Sequence, residues 1–201
     1  RLLIAVFMLA MRGFVWGSTI TDVLNAEIVG SRSSYGSWKE KKHLSNAIYA
    51  GHSTGSQSIQ IRQSDKQSGI ITTTSGGNVR TITVKFHSST TKGRKLNIYG
   101  KNTAYSSAED LFSSTKQGTL IGTLTCGERT SISISSSYKY IGICVADNYT
   151  VYISNLSIEW EDDSYQNETG KIATTTAFPK NKYSAFLGET FVAPTATVSI
   201  G

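Results

Sequence analysis

The chain contains few charged residues, almost no proline and no long apolar run. Only 17% of its 201 residues are charged, which excludes a coiled coil or helical bundle, since these are rich in Ala, Glu, Lys and Leu. Both prolines, Pro179 and Pro194, lie near the C-terminus. The apolar run Leu2–Met11 has ten residues, whereas a membrane-spanning helix needs roughly 20. We therefore expect no transmembrane helix.

The motifs of several enzyme classes are also missing. There is no G-x-S-x-G elbow, no H-E-x-x-H and no phosphate-binding glycine loop, since Gly51–Gly55 lacks the required lysine. The acidic groups Glu109-Asp110 and Glu161-Asp162-Asp163 fall at a helix start and in a polar run. We expect these carboxylates to be solvated surface groups. The sequence therefore predicts a protein without catalysis or a cofactor.

Cysteine and histidine are too sparse to indicate a metal site. Cys126, Cys144 and three scattered histidines do not make a zinc pattern. In an exported protein a disulfide is the first expectation, but the strand phases place Cys126 on the core face and Cys144 on the opposite face. A β-bulge would restore the phase, so both the paired and the free state stay open.

Hydroxyl-bearing and β-branched residues are abundant. Ser (28) and Thr (24) together with ten Tyr and many Ile and Val favour strands. Alternating apolar and polar residues, separated by turn signals, predict strands at 58–62, 69–74, 79–87, 94–101, 119–126, 130–135, 138–146 and 151–160. The last strand changes phase, which predicts a bulge near Ser154-Asn155. Further strands are expected near 20–24 and 47–50, within a less regular stretch.

One helical turn is predicted at Ser106–Phe112, where Ser106 or Ser107 can cap it. The strand number and spacing predict an all-β fold. We expect an antiparallel, jelly-roll-like β-sandwich with this one short helical turn.

The two ends suggest export and a further domain. Arg1 and the apolar run resemble the end of a signal peptide, with cleavage after Gly17. We therefore divide the chain into a signal peptide (1–17), a β-sandwich module (18–160), an acidic linker (161–171) and the truncated start of another β-domain (172–201). The alternative for the apolar run is a buried N-terminal helix.

Charge is distributed unevenly along the chain. Residues 30–101 carry twelve Lys or Arg and two acids, whereas residues 102–170 carry three Lys or Arg and nine acids. A basic face would attract anionic partners. Alternatively, the two halves neutralise each other across the sandwich. No nucleic-acid-binding motif is visible, although the charge leaves a nucleic-acid partner open.

Segment 35–62 holds the best candidates for ligand contact. Ligand sites combine apolar surface with a few polar groups, and this segment also contains His52. The predicted ligand-binding residues are Tyr35, Trp38, Tyr49, Gln60 and Arg62. We expect Trp38 on a loop. The alternative is that Trp38 and Tyr49 fill the sandwich edge and that Gln60 and Arg62 are ordinary sheet surface.

Several segments together resemble a β-sandwich module of secreted and cell-surface proteins of Bacteroidales-type bacteria. They are YAG, SIQIR, Gly69-Ile70, LNIYGKNTAYSSAEDLF, GTLIGT, YKYIGI and the closing IEW. The tail from Phe178 resembles the opening of a bacterial Ig-like domain. The resemblance covers residues 22–201 and implies an exported, multi-domain surface protein, but it supplies no catalytic residues. Cys144 departs from the polar residue expected after YIGI.

Our leading hypothesis is a non-catalytic extracellular module that binds a glycan within a larger bacterial surface protein. Two alternatives remain from other classes. One is a structural spacer or adhesin domain without a small ligand. The other is an accessory domain of a secreted nuclease or peptidase, since modules of the resembling kind also occur beside such domains.

Overall fold

The computed structural model describes residues 18–161, which contain eleven β-strands and two short helical segments. The strands are β1 Thr19–Leu24, β2 Arg32–Lys41, β3 Ile48–Gly55, β4 Ile59–Arg62, β5 Gly69–Thr74, β6 Asn78–Phe86, β7 Lys95–Lys101, β8 Thr119–Thr125, β9 Ser131–Ser133, β10 Tyr140–Val145 and β11 Thr150–Glu161. The helical segments are α1 (Ala26–Val29) and a 3-10 helix (Ala108–Phe112). The predicted signal peptide, the Ig-like start and all of the linker except Glu161 lie outside the described residues.

Within these residues all paired strands are antiparallel and form two facing sheets. The six-stranded sheet has the order β2-β3-β5-β10-β7-β8. The five-stranded sheet has the order β4-β11-β6-β9, with β1 also paired to β11. The halves β5-β10-β7-β8 and β4-β11-β6-β9 have the strand order of a jelly roll. The predicted all-β antiparallel sandwich is therefore confirmed.

The core between the sheets follows the predicted alternation. Its buried side chains include Ile59, Ile61, Ile82, Val84, Leu96, Ile98, Ile141, Ile143, Leu156 and Ile158. The predicted bulge in β11 is confirmed by a register shift between Ile153 and Asn155 against β6. The bulge returns the following apolar residues to the core face.

The irregular stretch before β3 contains elements that the sequence pattern did not indicate. Strand β2 buries only Trp38 fully, because it lies at the sheet edge and pairs with β3 alone. The expectation of a single helical turn was incomplete, since α1 is a second one. Asn25 caps α1 by accepting the Ile28 amide proton at 3.0 Å, and Gly30 with φ +88° ends it.

A second, smaller cluster covers the outer face of the six-stranded sheet. It comprises Ile71, Tyr99, Tyr105, Leu111 and Cys144. Cys144 thus points away from the main core, as its strand phase predicted, and both cysteines are free. Burial raises the pKa of the Cys144 thiol to about 12, so it stays protonated at neutral pH.

Two local expectations about the 3-10 helix were wrong. Ser107 occupies the cap position but makes no side-chain cap hydrogen bond. Asp110 is buried, not solvated, and its carboxylate accepts the Ser106 amide proton at 2.8 Å. The Asp110 carboxylate therefore stabilises this turn through a hydrogen bond on its buried side.

A buried carboxylate joins the N-terminal strand to both sheets. Asp22 of β1 has no exposed surface and accepts the amide protons of Leu44 and Ser45 at 2.8 Å each. It also accepts the hydroxyl protons of Ser45 and Tyr49. Trp160 of β11 donates its indole proton to the Tyr49 hydroxyl at 2.9 Å. Burial, reinforced by Asp22, holds the pKa of Tyr49 well above its usual value.

We expect Asp22→Ala to lower the free energy of unfolding by about 3–5 kcal/mol, because three buried donors of Ser45 and Tyr49 and the partly buried Leu44 amide lose their acceptor together. Urea denaturation of the variant and the parent chain measures the loss. Glu128→Gln, at an exposed turn, is the control and should change little. A loss below about 1 kcal/mol would show that the network is not needed for stability.

Gly142 of β10 lies directly under the outer cluster, where a Cβ atom would overlap the Leu111 side chain. We expect Gly142→Ala to cost about 1–3 kcal/mol through overpacking. Gly36→Ala in β2 should stay within about 0.5 kcal/mol, because its nearest neighbour, Arg32, is at 3.7 Å. Equal losses in urea denaturation would contradict this explanation.

Candidate ligand-binding site

Strand β3 connects the two sheets and presents polar side chains outward. It pairs with β5 from Ile48 to His52 and with β4 through Thr54 and Gln60. Ala50, His52 and Thr54 alternate with buried neighbours along this strand. In β4, Gln60 likewise alternates with buried isoleucines. The outward faces of β3 and β4 therefore meet at the junction of the sheets.

Four side chains form what we call the Tyr35 cluster: Tyr35, His52, Arg62 and Asp65. The Tyr35 and His52 rings are stacked, with centroids 6.2 Å apart and planes 16° apart. The guanidinium carbon of Arg62 lies 3.9 Å from the Tyr35 ring centroid. Asp65, in the turn after β4, has its Oδ2 atom 3.3 Å from His52 Nε2 and 3.8 Å from an Arg62 nitrogen.

Burial raises the pKa of Tyr35 above its usual value, and the Arg62 guanidinium beside the ring opposes part of this shift. The phenol therefore stays protonated at neutral pH. Its hydroxyl can both donate and accept a hydrogen bond. Gln60 lies beside this hydroxyl, in a geometry that makes no hydrogen bond between them.

Three buried polar atoms near this cluster have no hydrogen-bond partner among residues 18–161. They are Arg32 Nε, the Tyr35 hydroxyl and Arg62 Nε. Buried polar groups of folded proteins are nearly always paired, so such atoms require an explanation. All three belong to β2 and β4, on either side of β3. The unpartnered atoms therefore mark the surface around β3 as the candidate site.

Two depressions flank the cluster. The first, of about 420 Å³, is lined by Ser31, Arg32, Ser33, Thr54, Gly55, Ser56 and Gln60. The second, of about 220 Å³, runs from β2 and β3 to the 3-10 helix and includes Ala50, His52, Gln67 and Ser106–Glu109 in its lining. Ala50, His52 and Thr54 therefore connect both depressions along one strand.

Three of the five predicted site residues come together here. Tyr35 and Arg62 are in contact, and Gln60 lies beside them. Trp38 and Tyr49 face inward. This placement matches the alternative in which the two rings fill the sandwich edge.

The expected loop position of Trp38 was wrong, because Trp38 lies within β2. Its ring is 4% exposed, and it donates its indole proton to the Ser53 hydroxyl at 2.9 Å. Only a small part of it reaches the smaller depression. Tyr49 has no exposed surface, and its hydroxyl is used by Asp22 and Trp160.

The sequence analysis missed Arg32 and Asp65. Asp65 follows Arg62 by three residues in a turn, a spacing that would have suggested the pair. Arg32 lies in the polar strand β2, which showed no alternation. Its approach to Gln60 depends on the pairing of β2 with β3 and could not be found from sequence spacing.

Among residues 18–161, no group of three or more His, Cys, Asp or Glu side chains is placed to hold a metal ion. None of the helical segments in that range has the length and apolarity needed to cross a membrane.

Comparisons with known proteins give a distant likeness to solved structures. No family model and no curated protein matches the chain. One similar solved structure is a low-affinity xylan-binding module, CBM86, from the xylanolytic gut symbiont Roseburia intestinalis. The two share 13% identity with a TM-score of 0.30, over 69% of this chain and 94% of that one. At this distance, the match carries no information about the ligand of the present chain.

We expect Trp38→Ala to lower the free energy of unfolding by about 3–5 kcal/mol, because it empties a core position. Tyr35→Ala should cost about 1 kcal/mol or less, since it removes only the contacts of a partly exposed ring with His52 and Arg62. Urea denaturation of both variants tests this difference. Similar losses would mean that Tyr35 is as structural as Trp38.

Proposed function

We propose that the chain is a non-catalytic binding module and that it holds a carbohydrate where β2, β3 and β4 meet. One observation carries the proposal. Three unpartnered polar atoms, of Arg32, Tyr35 and Arg62, lie on the two strands that flank β3, and one of them is the hydroxyl of a half-buried aromatic ring. Sugars offer many hydroxyl groups, each able to donate and accept, and they lie against aromatic and other flat groups.

The arrangement of the depressions supports a chain-like ligand over a single sugar. Ala50 and Thr54 are four residues apart on β3, which corresponds to about 13 Å at a rise of 3.3 Å per residue. Each lines a different depression, and His52 between them belongs to the Tyr35 cluster. An extended oligosaccharide could follow this line with its hydroxyl groups facing the polar rims.

Rigid placement also suits binding. The backbones of β3 and β4 are held by pairing on both sides, and their inward residues belong to the main core. Little ordering of the backbone is then required when a ligand binds, which favours affinity.

The cellular setting belongs to the same proposal. We infer that residues 1–17 direct export, that the module acts outside the cell within a larger bacterial surface protein, and that a linker (161–171) and an Ig-like domain (from 172) follow it. The sequence features described above support this layout. Binding of an extracellular glycan would then bring the attached domains to their substrate or surface.

The test is retention of the chain by immobilised polysaccharides and a glycan array. We expect retention by at least one polysaccharide, and Tyr35→Ala should weaken it about tenfold while leaving the urea midpoint nearly unchanged. Tyr140→Ala, a half-buried tyrosine beside the outer cluster, is the control and should retain binding.

Two results would contradict the proposal. Absence of retention on every glycan by a folded chain would favour the spacer or adhesin alternative. Equal loss of binding in the Tyr35 and Tyr140 variants would show that the effect is one of stability and not of ligand contact.

A further inference from the structure

The chemistry of the site indicates the charge of its ligand. We propose that the carbohydrate is acidic, and that a carboxylate or sulfate group of a charged sugar is held at the rim formed by Arg32, Gln60 and Arg62. This inference rests on the proposed carbohydrate binding and makes it more specific.

Arg32 lacks an anionic partner. No carboxylate among residues 18–161 approaches it within 4.0 Å, and its Nε atom is buried without a hydrogen-bond acceptor. Leaving a buried charged donor unpaired is costly. An anion in the larger depression, which Arg32 lines, would provide the counter-charge that its guanidinium lacks.

Arg62 is only weakly paired. Its distance to Asp65 is 3.8 Å, longer than a hydrogen bond, and Asp65 lies closer to His52 at 3.3 Å. The Nε atom of Arg62 also has no acceptor. Both arginines therefore keep donors for a ligand, and the planar guanidinium matches the geometry of carboxylate and sulfate oxygens.

The other described arginines are engaged. Arg80 pairs with Glu161, Arg94 donates to the Thr150 carbonyl, and Arg129 donates to the Ser131 carbonyl at 3.4 Å. The unpartnered buried guanidinium nitrogens of residues 18–161 thus occur only at Arg32 and Arg62. The two lie 30 positions apart in the sequence, and the pairing of β2, β3 and β4 brings their strands to the same surface.

The position of Arg62 over the Tyr35 ring also favours a charged ligand over a neutral one. A neutral sugar is held largely through its C–H face on a bare aromatic ring, but Arg62 lies over the ring of Tyr35 at 3.9 Å. The surface offered to a ligand is the partly exposed Arg62 guanidinium and the Gln60 side chain. These groups favour oxygen atoms that carry negative charge.

A nucleic acid fits this surface less well than a charged sugar. Strands of DNA or RNA need basic groups tracking many phosphates and a series of stacking rings. The basic side chains of segment 30–101 are instead dispersed, with Arg80 paired to Glu161, Lys66 over Phe112 and Lys101 over Tyr105.

The experiment is affinity electrophoresis of the whole chain against polygalacturonate, alginate and chondroitin sulfate, with β-glucan and galactomannan as neutral polymers and single-stranded DNA as a further probe. We expect dissociation constants for at least one acidic polysaccharide that are tenfold or more below those for the neutral polymers. Arg32→Gln and Arg62→Gln should each weaken that binding about tenfold. Arg62→Lys should restore only part of it, because lysine keeps the charge without the planar fork.

Arg129→Gln is the matched control, since it removes the same charge at an exposed position on the opposite edge of the sandwich. Its affinity should equal that of the parent chain, and urea midpoints should show that all variants fold.

Each result has a separate meaning. Binding of neutral polymers alone, unchanged in Arg32→Gln and Arg62→Gln, would overturn the acidic ligand while leaving carbohydrate binding in place. Binding of DNA in preference to every polysaccharide would overturn both. Binding by none of the polymers would overturn the proposed function itself. If Arg129→Gln weakened binding as much as Arg32→Gln and Arg62→Gln, the effect would be one of net charge. That outcome would overturn the assigned rim.

Discussion

The buried carboxylate of Asp22 holds the strand that positions the proposed binding surface. It accepts two amide protons and the Ser45 hydroxyl proton from the segment before β3, and a hydroxyl proton from Tyr49 within β3. Through Tyr49 it also reaches Trp160 of the opposite sheet. A buried carboxylate needs all of its hydrogen-bond donors in place. Strand β1, the start of β3 and the end of β11 are therefore fixed together.

The fixed start of β3 also determines the path of the rest of the strand. The strand starts in the six-stranded sheet and reaches β4 of the other sheet through Thr54. Its outward residues consequently cross the junction between the sheets, where His52 meets Tyr35 and Asp65. The stabilising network faces inward and the proposed ligand surface faces outward on the same strand. Stability and the proposed binding therefore use different side chains of one element.

The sequence predicted the fold well wherever strands are central. Strand β4 was placed almost residue by residue because Ile59 and Ile61 alternate with polar residues. Strand β5 was placed in the same way because its β-branched run ends at a turn signal. The bulge in β11 was predicted from a change of phase. The prediction failed at β2, since an edge strand with one buried residue carries no alternation. The expected loop position of Trp38 was a consequence of that failure.

The sequence by itself determined the class of fold and several of the side chains near the proposed site, namely Tyr35, Gln60 and Arg62. Burial of apolar area is a local, periodic property, so a pattern of alternating residues is enough to predict it. The tertiary structure alone decided that Trp38 and Tyr49 face the core, and that Arg32 and Asp65 accompany the other three. Strand register and the crossing of β3 between sheets decide which side chains converge, and these depend on pairings between distant residues. The carboxylate that fixes those pairings, Asp22, looks like any other acid in the sequence.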